Sequence, residues 1–213
     1  ERVTEALRAA GVDDGDLVVI TASTPRPGID SGTIWCTRAW WTLTRMGVRA
    51  VVLHGGNEAW VAAGQPVETG PVEVASGSIT VGERASGRAE VDEVLDALGR
   101  PDACVVDALS RDNYEGRDPG YGPRRGHITG ADNVPNLDLI EAETAAFKPV
   151  DEIRGLLSGV LDHDRVVTYC GGAIAATVVA FCLDMCGHRD VAVYDGSLME
   201  WSRRDDLPMT DPS

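Results

Sequence analysis

Val166-Val-Thr-Tyr169-Cys170-Gly171-Gly172-Ala173-Ile174-Ala175-Ala176-Thr-Val-Val179 is the stretch on which the reading of this chain turns. Its first four residues are apolar or β-branched on successive positions, the pattern of a strand covered on both faces in a parallel sheet. The apolar run that continues to Cys186 is long enough for a buried helix. A strand therefore ends at Tyr169, and a helix begins within a few residues of Gly172. Cys170 falls at the carboxyl end of the strand and just before a helix N-terminus, the edge at which open α/β sheets hold their ligands. Free amides and the positive end of the helix dipole favour a thiolate there, which predicts a lowered pKa and a partly accessible sulfur. Gly171 and Gly172 let the backbone curl so that several N–H groups face the sulfur as an anion nest.

Working outward, further short apolar runs at Leu17–Ile20, Val51–Leu53, Cys104–Val106 and Val191–Tyr194 read as strands of the same kind. Helical runs at Val3–Ala10, Thr37–Met46, Val150–Leu161 and Ala175–Cys186 alternate with them, so the architecture is α/β. The chain also resembles itself. Residues 16–22 (DLVVITA) match 164–170 (DRVVTYC), and residues 48–60 (VRAVVLHGGNEAW) match 189–201 (RDVAVYDGSLMEW) without gaps and in the same order. Two related units follow. The expected organisation is a first unit over 1–70, a linker over 71–89 rich in Gly, Ser, Thr and Pro, and a second unit over 90–213. The first unit has no counterpart to the strand and long loop of 103–135. A segment missing from its N-terminus is the expected reason, since a parallel sheet without its first strand exposes an edge.

The 213 residues carry a formal charge of −15. That balance argues against nucleic acid, which demands clustered Lys and Arg, and against an anionic membrane surface. A small anion remains possible, since a few donors suffice to cradle one. Five cysteines at scattered positions fit a reducing, cytoplasmic setting better than a disulfide framework, and the spacings do not suit a structural zinc site.

Several tempting residues read more simply as scaffold. Cys182 and Cys186 share a helix with Val178, Val179, Phe181 and Met185, and Cys36 and Cys104 lack supporting context; all four read as core. His127 reads as a turn histidine, Asp107 and Asp195 as capping or loop-supporting residues, and Trp60 and Trp201 as packing. Gly55 and Gly196 fit turns with unusual backbone angles. A phosphatase or arsenate reductase built on such a cysteine loop needs an arginine six residues after the cysteine to grip phosphate oxygens; that position is Ala176.

Taken together, Val106-Asp-Ala108, Tyr114-Glu-Gly116, Gly126-His-Ile-Thr-Gly-Ala131, Asn133-Val-Pro135, the Cys170 loop and Tyr194-Asp-Gly-Ser-Leu-Met-Glu-Trp201 resemble the tandem rhodanese family of thiosulfate and 3-mercaptopyruvate sulfurtransferases. Arg38-Ala-Trp-Trp41 and Gly55-Gly-Asn-Glu-Ala-Trp60 are similar to the family's inactive first domain. The resemblance implies two rhodanese-like domains, each a mainly parallel sheet flanked by helices, with the catalytic cysteine in the second; the first unit has Ala22 at the place of Cys170. It implies a persulfide on Cys170 that is loaded by a small anionic sulfur donor, with no metal or organic cofactor. The acceptor would be cyanide, a thiol or a thioredoxin-like protein. Donor-binding residues by the same resemblance are Gly171, Gly172, Ala173, Ile174, Ala175 and Ala176. The loop departs from both branches: it has no basic residue, as thiosulfate enzymes do, and Gly172 stands where mercaptopyruvate enzymes have serine. Asn113 occupies the place of the family's substrate arginine, which leaves Arg111, Arg117, Arg124 and Arg125 as nearby sources of charge. A rhodanese-like module that binds or regulates without turnover is the alternative.

Overall fold

A computed structural model describes residues 2–23, 32–82, 87–118 and 120–212. The chain divides into two compact units, Glu1–Ala85 and Ser86–Ser213.

The first unit runs α1 (Arg2–Ala9), β1 (Leu17–Ile20), α2 (Gly32–Arg45), β2 (Arg49–Val52) and α3 (Gly56–Ala62). β1 and β2 pair in parallel, Leu17 opposite Arg49 and Ile20 opposite Val52. Alternate strand residues, Val18, Ile20 and Ala50, turn toward a core formed with Leu43, Val48 and Ile79, against which Val3, Leu7, Trp40 and Met46 pack. The opposite residues do not: Leu17 is 49% and Val19 54% exposed, and Val51 is exposed as well. The expectation of strands covered on both faces therefore fails for this unit, where one face of the strand pair is left exposed among the described residues.

The expected linker also proves to be structured in part. The N–H of Gly77 donates to the Arg8 carbonyl (2.8 Å) and that of Ile79 to the Val12 carbonyl (3.1 Å). The N–H groups of Ser78 and Thr80 meet the carboxylates of Asp13 and Asp14, both at 2.8 Å. Ile79 is buried in the first unit's core. Ile79, with Val81 packed beside it and these hydrogen bonds, fastens the segment, and composition alone hid it. Residues 83–86 of that stretch lie outside the described residues, and Arg88–Ala89 is the first strand of the second unit.

The second unit continues with β3 (Arg88–Ala89), α4 (Val91–Leu98), β4 (Ala103–Asp107), α5 (Arg111–Tyr114), β5 (His127–Ile128) and β6 (Asp132–Asn133). A 3-10 turn at Asn136–Leu139 follows, then α6 (Val150–Leu156), α7 (Ser158–Leu161), β7 (Arg165–Tyr169), α8 (Ala176–Met185), β8 (Val191–Tyr194), α9 (Ser197–Trp201) and β9 (Met209–Thr210). Five strands form one parallel sheet in the order β3-β8-β7-β4-β6. β5 and β9 make a separate antiparallel pair. Every residue of β4 is buried, as is β7 after Arg165, which explains their unbroken apolar character. α4 starts with a capping box between Glu90 and Glu93. α8 is buried nearly all round, including Cys182, so its sequence shows no polar face. Arg165 links the central strand to Glu93 of α4 and to Asp190, each at 3.0 Å. This frame fixes the end of β7, where Cys170 stands, in the middle of the sheet.

Candidate active site

Cys170 is the first residue after β7, and α8 begins six residues later at Ala176. The intervening loop is held by the Ser197 hydroxyl and by backbone bonds from the start of α9. Ser197 Oγ accepts the N–H groups of Cys170 (3.3 Å) and Ala173 (3.1 Å) and donates to the Tyr194 carbonyl (2.9 Å). The N–H groups of Leu198 and Met199 donate to the carbonyls of Cys170 (3.0 Å) and Gly171 (2.9 Å). The Thr168 hydroxyl donates to the Ala176 carbonyl at 3.1 Å, tying the strand end to the first turn of α8. With these groups turned outward, the amides of Ala176, Gly172 and Ile174 are left facing the sulfur. Two amides thus serve the scaffold and three the sulfur, and the result is an anion nest.

The glycines contribute differently from expectation. The residue in the left-handed region is Ala173, at φ 58°, and neither Gly171 nor Gly172 is. What the glycines supply is space. A methyl group at Gly171 would coincide with the Tyr121 ring, and one at Gly172 would lie 3.2 Å from Met199 Sδ. Gly196 likewise has an ordinary backbone and is needed because the Glu200 side chain fills the place of its Cβ; Gly55, at φ 74°, is the turn glycine expected.

Two expectations for the sulfur need correction. Cys170 is 3% exposed, so it is buried rather than partly accessible. Burial also pushes its thiol up, outweighing the downward pull of the amides of Ala176, Gly172 and Ile174, and the Asp107 carboxylate adds to the upward push. The nest is present, yet desolvation is the larger effect. Cys104 offers a contrast, since burial and the carboxylate of Asp132 push it up to about 12 and no amide opposes them. All five cysteines are free and buried.

Asp107 ends β4 beside Tyr169 and is fully buried. Its Oδ1 accepts the Leu109 N–H at 2.8 Å, the loop-supporting role expected, while Oδ2 has no hydrogen-bond partner. Burial pushes its carboxyl up to about 6, against the Leu109 N–H and the nearby Tyr169 hydroxyl. His127 is structural. Its ring stacks on Tyr114 at 3.7 Å, and Nδ1 lies 2.8 Å from the Tyr114 carbonyl. Trp201 is buried, with its indole N–H donating to the Pro208 carbonyl, whereas Trp60 is exposed and cannot be called core.

The polar candidates outside the loop disperse. Asn113 is turned toward the cap of α5, where its Oδ1 accepts the Ser110 hydroxyl (3.1 Å) and its N–H donates to Ser110 Oγ (3.2 Å). Arg124 is committed to the backbone. Its guanidinium donates to the carbonyls of Ser202 (3.1 Å), Leu207 (2.9 Å), Trp201 (2.9 Å) and Arg204 (2.6 Å), clamping the chain after α9. That geometry replaces the donor-binding role expected of it. Arg117 pairs with Asp112 and Glu115, while Arg111 and Arg125 are exposed. Sequence reasoning missed Ser197 and Tyr121. For Ser197 a signal existed, in the serine that follows the Asp195-Gly196 turn; for Tyr121 there was none. Among the described residues, no three His, Cys, Asp or Glu side chains are grouped to hold a metal ion, and no helix is long and apolar enough to cross a membrane.

Comparison with known proteins agrees with this geometry. Residues 90–204 match the model of the rhodanese-like domain. The chain is 32% identical over 215 aligned positions to the 3-mercaptopyruvate sulfurtransferase of Escherichia coli (strain K12), covering 98% of this chain and 73% of that one. It is 31% identical to the thiosulfate sulfurtransferase of Gallus gallus, covering 83% of this chain and 62% of the relative. Among solved structures, SseA from Escherichia coli, a 3-mercaptopyruvate sulfurtransferase, superposes with a TM-score of 0.75 at 28% identity, over 92% of this chain and 72% of that one. Wild-type EanB has the same fold, with a TM-score of 0.85 at 22% identity; the present chain spans 54% of its length. The parallel sheet flanked by helices, the cysteine loop at its edge and these likenesses together place the chain in the rhodanese-like sulfurtransferase family.

Proposed function

We propose that this protein moves a sulfane sulfur from thiosulfate or 3-mercaptopyruvate to a thiophilic acceptor by way of a persulfide on Cys170. The observation that carries the reading is the set of three amides, of Gly172, Ile174 and Ala176, directed at one buried sulfur, while the amides of Cys170 and Ala173 are tied to Ser197. In the first half-reaction the Cys170 thiolate attacks the outer sulfur of the donor. The new S–S bond forms as the donor's bond to that sulfur breaks, and sulfite or pyruvate departs with the electron pair or its protonated equivalent. In the second, cyanide or a thiolate attacks the outer sulfur, and the Cys170 thiolate leaves. The amides stabilise the negative sulfur in both steps without reorganising. Burial pushes this thiol up, and the thiolate that attacks, formed by loss of its proton to solvent, is intrinsically more nucleophilic for it.

The uncharged loop bears on the donor. With Arg124 clamped to carbonyls and Asn113 turned to its cap, a dianion would rely on backbone amides and on the exposed Arg111 or Arg125. Five free thiols suit a reducing, cytoplasmic environment. The uncharged loop and buried sulfur also favour a second reading, a module that binds without turnover.

The test is a side-by-side assay of the two donors with cyanide as acceptor, following thiocyanate release. Turnover with at least one donor, abolished in Cys170→Ser, supports sulfur transfer. Turnover that survives in Cys170→Ser removes the cysteine from the mechanism, and none with either donor favours the binding module.

A further inference from the structure

We propose that Tyr121 is the specificity-determining residue of this site, admitting slender sulfur donors and acceptors to Cys170 and holding back bulky ones. The inference deepens the sulfur-transfer reading and rests on it for its meaning, though not for its test. Tyr121 belongs to the 120–126 loop, away from the strand end and the cysteine loop in sequence. Its ring lies directly on Gly171, so closely that no side chain could occupy that position. Met199 Sδ stands close to Gly172, 3.2 Å from where a Cβ would be. The two glycines next to the nucleophile are thus roofed by an aromatic ring and a thioether, and neither bears a charge. Cys170, the residue before them, is 3% exposed, while Tyr121 is 39% exposed and presents its remaining surface to solvent.

The perch of this ring is built rather than incidental. Arg124, three residues on, anchors the loop through four carbonyls at the end of α9. Gly122 lies so close to the Ser202 side chain that a Cβ could not be accommodated, and Gly126 is as tightly set against the Thr210 backbone. The main chain on the C-terminal side of Tyr121 is therefore fixed, and access to the sulfur is governed by the ring itself. A molecule whose reacting atom sits at the end of a thin stem can pass the edge of a ring; a branched thiol meets its face. Apolar walls of this kind discriminate by size, and one excluded group changes a rate by about tenfold or more.

Alkylation of Cys170, followed on its peptide by mass spectrometry, reads access without requiring sulfur chemistry. The reagents are iodoacetamide and a maleimide carrying a bulky substituent, applied to the wild type, Tyr121→Ala and Tyr121→Phe. The expected result is a bulky-to-small rate ratio raised about tenfold in Tyr121→Ala and kept near wild type in Tyr121→Phe, since the ring and not the hydroxyl is the barrier. A ratio in Tyr121→Ala within twofold of wild type overturns the proposal, as does failure of either reagent to reach Cys170 in that variant. Discharge of a preformed persulfide by glutathione and by cyanide is then compared, with the same rise expected in the glutathione-to-cyanide ratio. If the alkylation ratio moves but no wild-type persulfide forms, the gate stands and the sulfur-transfer reading falls; if a persulfide forms but neither ratio moves, the reverse holds.

Discussion

At the residue scale the site is a balance between desolvation and directed amides, and Asp107 is the residue that perturbs both sides of it. Its carboxyl is raised from 3.8 to about 6, so the folded protein holds this proton more tightly than the unfolded chain does. The stability associated with it is therefore fully present below about pH 3.8 and is lost as pH rises through about 6. That rise corresponds to a penalty on the order of 3 kcal/mol at neutral pH. Asp107→Asn keeps an acceptor for the Leu109 N–H and removes the charge. Chemical denaturation across pH 4 to 8 should show the variant gaining stability relative to wild type toward neutral pH, and an unchanged difference across that range would refute the assignment. The same variant should lower the pH at which Cys170 becomes alkylatable, because the carboxylate pushes that thiol up. Sequence position made Cys170 conspicuous, but its net ionisation was not legible. Whether amides or burial dominates depends on how completely the loop is covered, and Tyr121 and Met199, which lie against Gly171 and Gly172, are distant in the chain.

At the scale of elements, the cysteine loop is shaped by what lies under and beside it. Ser197 is buried, itself in the left-handed region at φ 50°, and serves two loop amides and one carbonyl. Ser197→Ala should cost about 2 kcal/mol by orphaning buried N–H groups. It should also slow persulfide formation well beyond any effect on overall folding, which a stopped assay with saturating donor would register. Arg124 acts at the end of α9. Replacing it with alanine strips four carbonyls of a charged donor and should destabilise the second unit by roughly 2 kcal/mol or more, with lysine only partly restoring the loss because it lacks the planar fork. Thermal melts of the two variants give the comparison. The main strands and helices were readable because β4, most of β7 and most of α8 are buried and show it in composition. Two-residue strands such as Arg88–Ala89 and Met209–Thr210 were not, since they are set by partners rather than by local pattern.

On the scale of the whole molecule, the two units differ in how completely they bury their sheets. The first has a two-stranded sheet with Leu17, Val19 and Val51 exposed on one face; the second has five parallel strands around a fully buried β7 end. Amides of β1 and β2 should accordingly exchange with solvent faster than those of β4, β7 and β8, and equal protection would show that exposed face to matter little. The internal likeness of residues 48–60 to 189–201 was visible in sequence, yet Ile79 and Val81, packed on the first unit's core, make part of the apparent linker belong to that unit. The central claim concerns a single atom in this frame, and the intact mass of the protein after incubation with thiosulfate or 3-mercaptopyruvate tests it most directly. A gain of one sulfur that cyanide removes and that Cys170→Ser never acquires is the predicted result. A mass unchanged by both donors, or a sulfur still acquired by Cys170→Ser, would contradict it.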